Sequence, residues 1–93
     1  MAYKLFYHPD ILKHDLPKIP QNIKETIRKA IETRLAEAPF IAGEPLRQSL
    51  KGHRKLRVGD YRVIYRVEGN EIIVLKIGHR KEVYSKVFSR ISS

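Results

Sequence analysis

Two short turns organise the second half of this 93-residue chain into three predicted strands. Gly59-Asp60 separates residues 53–58 from residues 61–67, and Gly69-Asn70 separates these from an apolar run at 72–77. Two-residue loops of this composition close β-hairpins and fix the register in which the flanking strands pair. The sequence therefore predicts a three-stranded antiparallel meander.

The predicted register places two arginines side by side. Counting back from the first turn, Val58 faces Tyr61 and Arg57 faces Arg62. Like charges directly opposite each other destabilise an antiparallel pair, so this pair is better explained by an anionic ligand than by stability. The chain also carries 19 Lys and Arg against 10 Asp and Glu, a net charge of +9, which fits nucleic acid, an acidic membrane or an acidic protein. The arginine pair favours phosphate, and hence nucleic acid.

The first half of the chain predicts a strand and a helical hairpin. Residues 3–7 predict the strand, and a brief first helix is expected to bend or end near Leu16, because proline follows at position 17. Asn22 and Glu25 have the spacing of a capping box that opens a second helix, and Pro39 closes it. The second helix carries an apolar stripe at 3.6-residue spacing, made up of Ile23, Ile27, Ala30, Ile31, Leu35 and Ala38.

The remaining segments complete one α+β domain spanning residues 1–93. Residues 40–50 predict an irregular connector, Gly78 is expected to end the third strand of the meander, and residues 81–91 predict a short C-terminal helix. The predicted fold is an N-terminal strand, a helical hairpin, a three-stranded antiparallel meander joining the strand in one sheet, and a short C-terminal helix.

Strand alternation assigns the meander two faces. The face expected to pack against the helices carries Leu56, Val58, Tyr61, Val63, Tyr65, Val67, Ile72 and Val74. The opposite face carries His53, Lys55, Arg57, Arg62 and Arg66 with Ile64, Ile73, Leu75 and Ile77. A face that is half cationic and half aliphatic predicts a binding surface, partly covered by the last helix or by a partner.

Several chemistries lack the residues that they require. The chain has no cysteine, its four histidines show no metal-site spacing, and no phosphate-binding glycine loop or nucleophile elbow is present. No cofactor or metal is therefore expected. No apolar run reaches the roughly 18 residues that span a bilayer, which predicts a cytoplasmic protein with no membrane partner.

The residues do suit phosphoryl chemistry on RNA, in which the ribose 2′-hydroxyl attacks the neighbouring phosphate. Arginines can orient that phosphate and stabilise the charge that develops on it. A lysine desolvated among other cations can give up its proton and act as a base, which makes Lys55 a candidate, with His53 and His79 behind it. Tyr84 can orient the substrate or stack on a base.

Residues 55–65 (KLRVGDYRVIY) and 78–84 (GHRKEVY) strongly resemble the RelE/ParE superfamily of toxins from prokaryotic toxin–antitoxin pairs. The resemblance extends over the whole chain, because the order of elements is also that of the family. It implies the microbial-RNase-like RelE fold and a ribosome-dependent endoribonuclease that cleaves messenger RNA without metal, an mRNA interferase. It also implies a RelB-like antitoxin partner, contact with messenger RNA and the ribosome, and binding of the toxin–antitoxin complex to promoter DNA.

The same resemblance implies the catalytic residues. Lys55 and Arg57 match paired basic residues, and Arg62 matches the arginine that binds the scissile phosphate. Arg80 and Tyr84 match residues proposed for leaving-group protonation and base stacking. The better-studied members carry a lysine in place of Arg57, and arginine is a poor general base because it keeps its proton.

Two alternatives remain open. A ParE-like toxin inhibits DNA gyrase by binding it, using the same scaffold without nuclease activity, and such toxins generally do not retain the complete set of five residues. The second alternative is a non-catalytic basic module that binds nucleic acid or an acidic partner.

Overall fold

The computed structural model describes residues 3–85 and 87–91, and a sheet of five strands lies at its centre in this part of the chain. Its spatial order is β1-β5-β4-β3-β2, with β1 parallel to β5 and the other neighbours antiparallel. The strands are β1 Lys4–Tyr7, β2 Glu44–Pro45, β3 Arg54–Val58, β4 Tyr61–Glu68 and β5 Glu71–His79. The predicted N-terminal strand and meander are thus confirmed, and β5 is an interior strand that lies between β1 and β4.

Helical segments connect β1 to β2 and β2 to β3, and one follows β5. They are a π-helical turn at Ile11–Asp15, a 3-10 turn at Leu16–Lys18, the helix α1 at Gln21–Ala30 that continues as π-helix through Ile31–Leu35, α2 at Pro39–Ala42, a 3-10 turn at Gln48–Leu50 and α3 at Val87–Ile91. In the described part of the chain, no helix has the length and apolar character to span a membrane.

Helix α1 begins two residues earlier than the capping-box prediction placed it, at Gln21 instead of Ile23. Pro20 is the N-cap residue, in an extended conformation, and its carbonyl accepts hydrogen bonds from the amides of Ile23 and Lys24. Asn22 therefore lies inside the helix, and Glu25 pairs with Arg28 instead of reaching back to the helix start. The capping-box prediction is wrong because proline, with its fixed φ, already sets the start of the helix.

The predicted apolar stripe of the second helix is confirmed. Ile27, Ala30, Ile31 and Leu35 are all buried against the sheet. The helix ends at Glu37, shortly before Pro39 as expected. The connector that follows is more regular than predicted because it contains α2, β2 and a 3-10 turn.

The first hairpin has the predicted register: Val58 pairs with Tyr61 and Arg57 pairs with Arg62. In the second hairpin Val67 pairs with Ile72, again as predicted. Gly59 has a φ of 60°, and this left-handed conformation suits glycine because it has no Cβ.

A β-bulge alters the second half of β5. Ile64 pairs with Lys76 but Tyr65 pairs with Val74, so Leu75 is an extra residue without a partner on β4. Alternation shifts by one residue after the bulge, and Ile77 joins the helix-side core instead of the opposite face that simple alternation predicted.

Gly78 does not end β5, contrary to prediction, because the strand continues through His79. Its lack of a side chain instead allows a close approach: a Cβ on Gly78 would lie 3.5 Å from the Cα of Val83. The segment after β5 therefore folds back closely against the end of the strand.

Two apolar clusters cover the two faces of the sheet. The larger joins the helices to one face and includes Leu35, Leu56 and Tyr65, each with no exposed surface. Burying such a side chain contributes about 1.5–3 kcal/mol. The smaller cluster packs Val83 and Val87 on Ile64.

The C-terminal segment thus covers part of the opposite face, as expected, but it is less helical than predicted. Residues 80–85 form turns, α3 spans Val87–Ile91, and Lys86 of the predicted helix lies outside the described residues.

Candidate nucleic-acid interface

Lys55, Arg57 and Arg62 form what we call the cationic face. Arg57 and Arg62 occupy one rung of the β3–β4 ladder, and Lys55 lies two residues from Arg57, opposite Ile64. Residues two apart on a strand share a face, so the three side chains emerge on the same side of the sheet. Arg57 is exposed, and Lys55 and Arg62 are half-buried.

The cationic face lacks counter-charges. Among the described residues, no Asp or Glu oxygen lies within 4.0 Å of a side-chain nitrogen of Lys55, Arg57 or Arg62. By contrast, Arg66, on the same strand as Arg62, pairs with Glu68. Three neighbouring cations without a carboxylate create a positive potential that attracts a polyanion.

The guanidinium of Arg62 is held against the β3–β4 turn. Its Nη1 donates to the carbonyl oxygens of Gly59 at 2.9 Å and Tyr61 at 2.8 Å. Nε and Nη2 of Arg62 have no hydrogen-bond partner in residues 3–85 and 87–91, so these nitrogens remain available for a second acceptor. A guanidinium fixed in this way can offer its remaining donors to phosphate oxygens.

Arg80 lies beside the same turn. Its amide donates to the carbonyl oxygen of Asp60 at 2.8 Å, and its Nε lies 3.8 Å from Asp60 Oδ1. Both side chains of this pair are exposed, so solvent screens the attraction and leaves Arg80 free to change partners. The structure thus brings Arg80 to the end of the cationic face.

Tyr84 lies in the turn segment at 80–85 and is 36% exposed. Its neighbour Val83 is buried against Ile64, which attaches this part of the segment to the same face of the sheet as Arg62. Within the described residues the hydroxyl of Tyr84 makes no hydrogen bond. The structure therefore does not join Tyr84 to the arginine pair by direct contact.

The two histidines considered as bases occupy constrained positions. His79 pairs with Tyr61 across the ladder, and the rings meet edge to face with centroids 5.6 Å apart. Its Nδ1 accepts a hydrogen bond from the amide of Lys81 at 3.2 Å, so the ring satisfies a backbone group at the end of the strand. Both ring nitrogens of His53 are buried and have no partner in the described part of the chain. Lys55 is the candidate base that lies on the cationic face itself.

A cluster around Tyr65 fixes the edge of the sheet next to Lys55. The hydroxyl of Tyr65 donates to the carbonyl oxygen of Pro39 at 2.6 Å, and Arg54 Nη2 donates to the carbonyl oxygens of Phe40 and Gly43 at 2.9 and 3.0 Å. Burial raises the pKa of Tyr65, and the nearby Arg54 partly opposes that rise. Arg54 has no distinguishing signal in the sequence, because an arginine bonded to the backbone and a solvated arginine look alike in a strand pattern.

A large cavity lies away from the cationic face. It has a volume of about 740 Å³ and is lined by apolar residues of the first helical turns and α1, such as Leu12, Leu16 and Ile27. Apolar cavities suit small molecules or side chains, whereas an open cationic strand suits the backbone of a nucleic acid. The arrangement of charge therefore places the candidate site on the strands.

The sequence matches the family model described as the ParE toxin of the type II toxin–antitoxin system parDE, over residues 6–84. Among curated proteins, it is 32% identical to the toxin RelG of Mycobacterium tuberculosis, over 80% of this chain and 87% of the relative. It is 31% identical to the mRNA interferase toxin RelE of Escherichia coli K12, over 98% of this chain and 99% of the relative.

Solved structures agree with these matches. A RelBE toxin–antitoxin complex of Mycobacterium tuberculosis superposes with a TM-score of 0.80 at 28% identity, covering 86% of this chain and 100% of that one. An arginine-to-alanine variant of the E. coli toxin RelE in its free state superposes with a TM-score of 0.75 at 26% identity, covering 97% and 94%. The match therefore extends over the sheet, the helical hairpin and the C-terminal segment, and this chain belongs to the RelE/ParE superfamily of toxins from type II toxin–antitoxin systems.

Proposed function

We propose that this toxin is a ribosome-dependent endoribonuclease that cleaves messenger RNA and so inhibits translation. The observation that carries the proposal is the Arg57–Arg62 rung, which holds two cations together without a carboxylate within 4.0 Å in the described residues. The proposal is also supported by the similarity to a toxin named as an mRNA interferase.

The proposed reaction is an attack of the ribose 2′-hydroxyl on the adjacent phosphate. The 2′-oxygen forms a bond to phosphorus, the bond from phosphorus to the 5′-oxygen breaks, and a 2′,3′-cyclic phosphate and a 5′-hydroxyl result. Arg62 and Arg57 stabilise the negative charge that develops on the phosphate oxygens. Lys55 accepts the proton of the 2′-hydroxyl, Arg80 assists protonation of the leaving 5′-oxygen, and Tyr84 orients or stacks on a base.

The proposal includes an antitoxin partner. Similar structures contain RelB–RelE complexes and RelE bound to a peptide of its antitoxin. A RelB-like antitoxin for this chain would be acidic, to meet the net charge of +9, and the joint complex would bind promoter DNA. The sequence predicts that such an antitoxin covers the aliphatic residues Ile64, Ile73 and Leu75. Ile64 and Leu75 are 0% and 2% exposed here, whereas Ile73 is half-buried. Charge, Ile73 and the exposed Phe88 are therefore better candidates for contact.

The test is a translation extract supplied with purified wild type, Arg62→Ala or the control Arg66→Ala, with cleavage sites mapped by primer extension, with and without ribosomes. Arg66 lies on the same strand but is paired with Glu68, so its removal controls for loss of one positive charge. We expect codon-phased cuts by wild type and by the Arg66 variant on ribosomes, and about a hundredfold less cutting by Arg62→Ala. Equal cutting by all three proteins would contradict the phosphate-binding role of Arg62.

A second candidate is inhibition of DNA gyrase, favoured by the match of residues 6–84 to a family model described as a ParE toxin. The two activities differ in which process fails first. Intact messenger RNA together with loss of DNA supercoiling would support this candidate, and loss of both effects would favour a non-catalytic basic module.

A further inference from the structure

A buried ion pair joins the first helical turn to the last helix. Asp15 and Arg90 are 6% and 8% exposed. Nη1 of Arg90 lies 2.6 Å from Oδ2 of Asp15, and Nη2 lies 2.8 Å from Oδ1, so the guanidinium binds both carboxylate oxygens. This two-point geometry fixes orientation as well as distance.

The same pair bonds to the backbone of β5. Oδ2 of Asp15 accepts a hydrogen bond from the amide of Ile77 at 2.9 Å, and Nη1 of Arg90 donates to the carbonyl oxygen of Leu75 at 3.1 Å. The pairing of β1 with β5 ends at Val74. Beyond that point the ion pair, instead of a neighbouring strand, forms hydrogen bonds to the backbone of β5. It satisfies backbone groups that apolar side chains would leave unpaired.

These contacts lie on both sides of the turn segment at residues 80–85, here called the loop, which carries two of the five candidate catalytic residues. Leu75 and Ile77 precede the loop, and Arg90 follows it. Arg80 and Tyr84 lie within it. The loop contacts the sheet through the packing of Val83 on Ile64 and through the hydrogen bond from the Arg80 amide to the carbonyl oxygen of Asp60. Joining both ends of a loop reduces the range of positions that its residues can adopt.

We infer that Asp15 and Arg90 are positioning residues for the cleavage reaction, an inference that rests on the proposed nuclease function. Both are buried and do not belong to the cationic face, so they act through Arg80 and Tyr84 and not by touching RNA. Small displacements of a catalytic group reduce turnover strongly, on the order of a hundredfold for 1 Å. Loss of the pair therefore lowers kcat. KM should stay nearly unchanged, because RNA binding depends on the cationic face.

The test compares Asp15→Asn and Arg90→Lys with the control Arg28→Met. Asp15→Asn keeps the side-chain shape and an acceptor for the Ile77 amide, and Arg90→Lys keeps the charge but loses the two-point contact. Arg28 makes a similar contact with Glu25, at 2.8 Å, but on the exposed surface of α1. Cleavage is measured at a temperature where circular dichroism shows each protein fully folded.

We expect Asp15→Asn and Arg90→Lys to lose about tenfold or more in kcat with KM nearly unchanged, and the Arg28 variant to match wild type. A folded Asp15→Asn protein with wild-type kcat overturns the inference. If both variants of the pair unfold before their cleavage rate changes, the pair has a structural role only, and this result also overturns the inference.

A second readout does not depend on cleavage. The amides of Glu82 and Val83 donate to the carbonyl oxygen of His79, and their hydrogen exchange reports the order of the loop. We expect faster exchange there in Asp15→Asn than in wild type or Arg28→Met. If wild type fails to cleave RNA but this exchange difference is present, the nuclease proposal fails and the pair still orders the loop. If exchange is the same in Asp15→Asn and wild type, the positioning role is overturned whether or not the protein cleaves RNA.

Discussion

Arg57 and Arg62 face each other across the β3–β4 ladder, with no carboxylate within 4.0 Å of either among the described residues. Like charges in this position lower the stability of the sheet. Their cost is consistent with a function that needs both cations, because a pentavalent phosphate carries more negative charge than its ground state.

Replacing Arg57 should separate stability from activity. We expect Arg57→Thr to raise the free energy of unfolding by about 0.2–1 kcal/mol, since it removes the repulsion and threonine favours strands. The same variant should lose most of its cleavage activity. Urea unfolding and primer extension on one preparation check both parts, and a less stable protein would show that the repulsion is not significant.

The role of Lys55 as general base can be tested through pH dependence. Lys55→Ala should reduce cleavage about a hundredfold or more and change the shape of the pH–rate profile, because a different group then limits proton transfer. Single-turnover cleavage across a pH series provides the measurement. A slower variant with an unchanged profile would remove Lys55 as the base and leave it a role in binding.

Arg57→Lys tests the departure from the better-studied members of the family. If proton transfer limits this toxin, a lysine at position 57 should raise the cleavage rate, since lysine can lose its proton and arginine cannot. Arg66→Lys is the matched control, because it makes the same change in a paired residue of the neighbouring strand. A rate equal to that of wild type would show that position 57 contributes charge alone, and a lower rate would show that the guanidinium geometry is also needed; either result contradicts a limiting proton transfer at this position.

Gly43 and Gly78 should respond differently to alanine. A Cβ on Gly43 would lie 2.1 Å from the hydroxyl oxygen of Tyr65 and 2.7 Å from the carbonyl oxygen of Lys55. We expect Gly43→Ala to cost about 1–3 kcal/mol of stability, whereas Gly78→Ala, whose nearest contact is 3.5 Å away, should change stability by less than about 1 kcal/mol. Thermal unfolding of both variants decides, and equal losses would contradict the packing described for Gly43.

Tyr65 should make the protein sensitive to alkaline pH. Burial raises its pKa in the folded state, so the unfolded chain loses this proton first, near pH 10. The stabilising effect of the neutral hydroxyl is therefore present below about pH 10 and lost as pH rises through the higher folded value. Tyr65→Phe should be about 1 kcal/mol less stable at neutral pH, from loss of the bond to Pro39, and the difference should shrink above about pH 10.

Urea unfolding at about pH 8 and about pH 11 measures that difference. Tyr84→Phe is the control, because Tyr84 is exposed and its hydroxyl makes no hydrogen bond in the described residues. A constant gap between wild type and Tyr65→Phe at both pH values would contradict the assignment.

The sequence by itself determined the meander, its register and the location of the cationic face. Two-residue turns fix a hairpin register locally, and alternation then decides which side chains share a face. For the same reason the pairing of Arg57 with Arg62 and the burial of Tyr65 followed from counting along the chain. The family resemblance is also carried by these strands.

The tertiary structure decided what lies beyond local spacing. The bulge at Leu75, which turns Ile77 towards the helices, arises from pairing between strands and has no signal in alternation. Asp15 and Arg90 are 75 positions apart, and each occupies a helical position that continues an apolar stripe, after Ile11 and Val87. A charged residue within an apolar stripe is a signal that the sequence contains, because a buried charge needs a partner. Only the fold shows that these two residues are each other's partner.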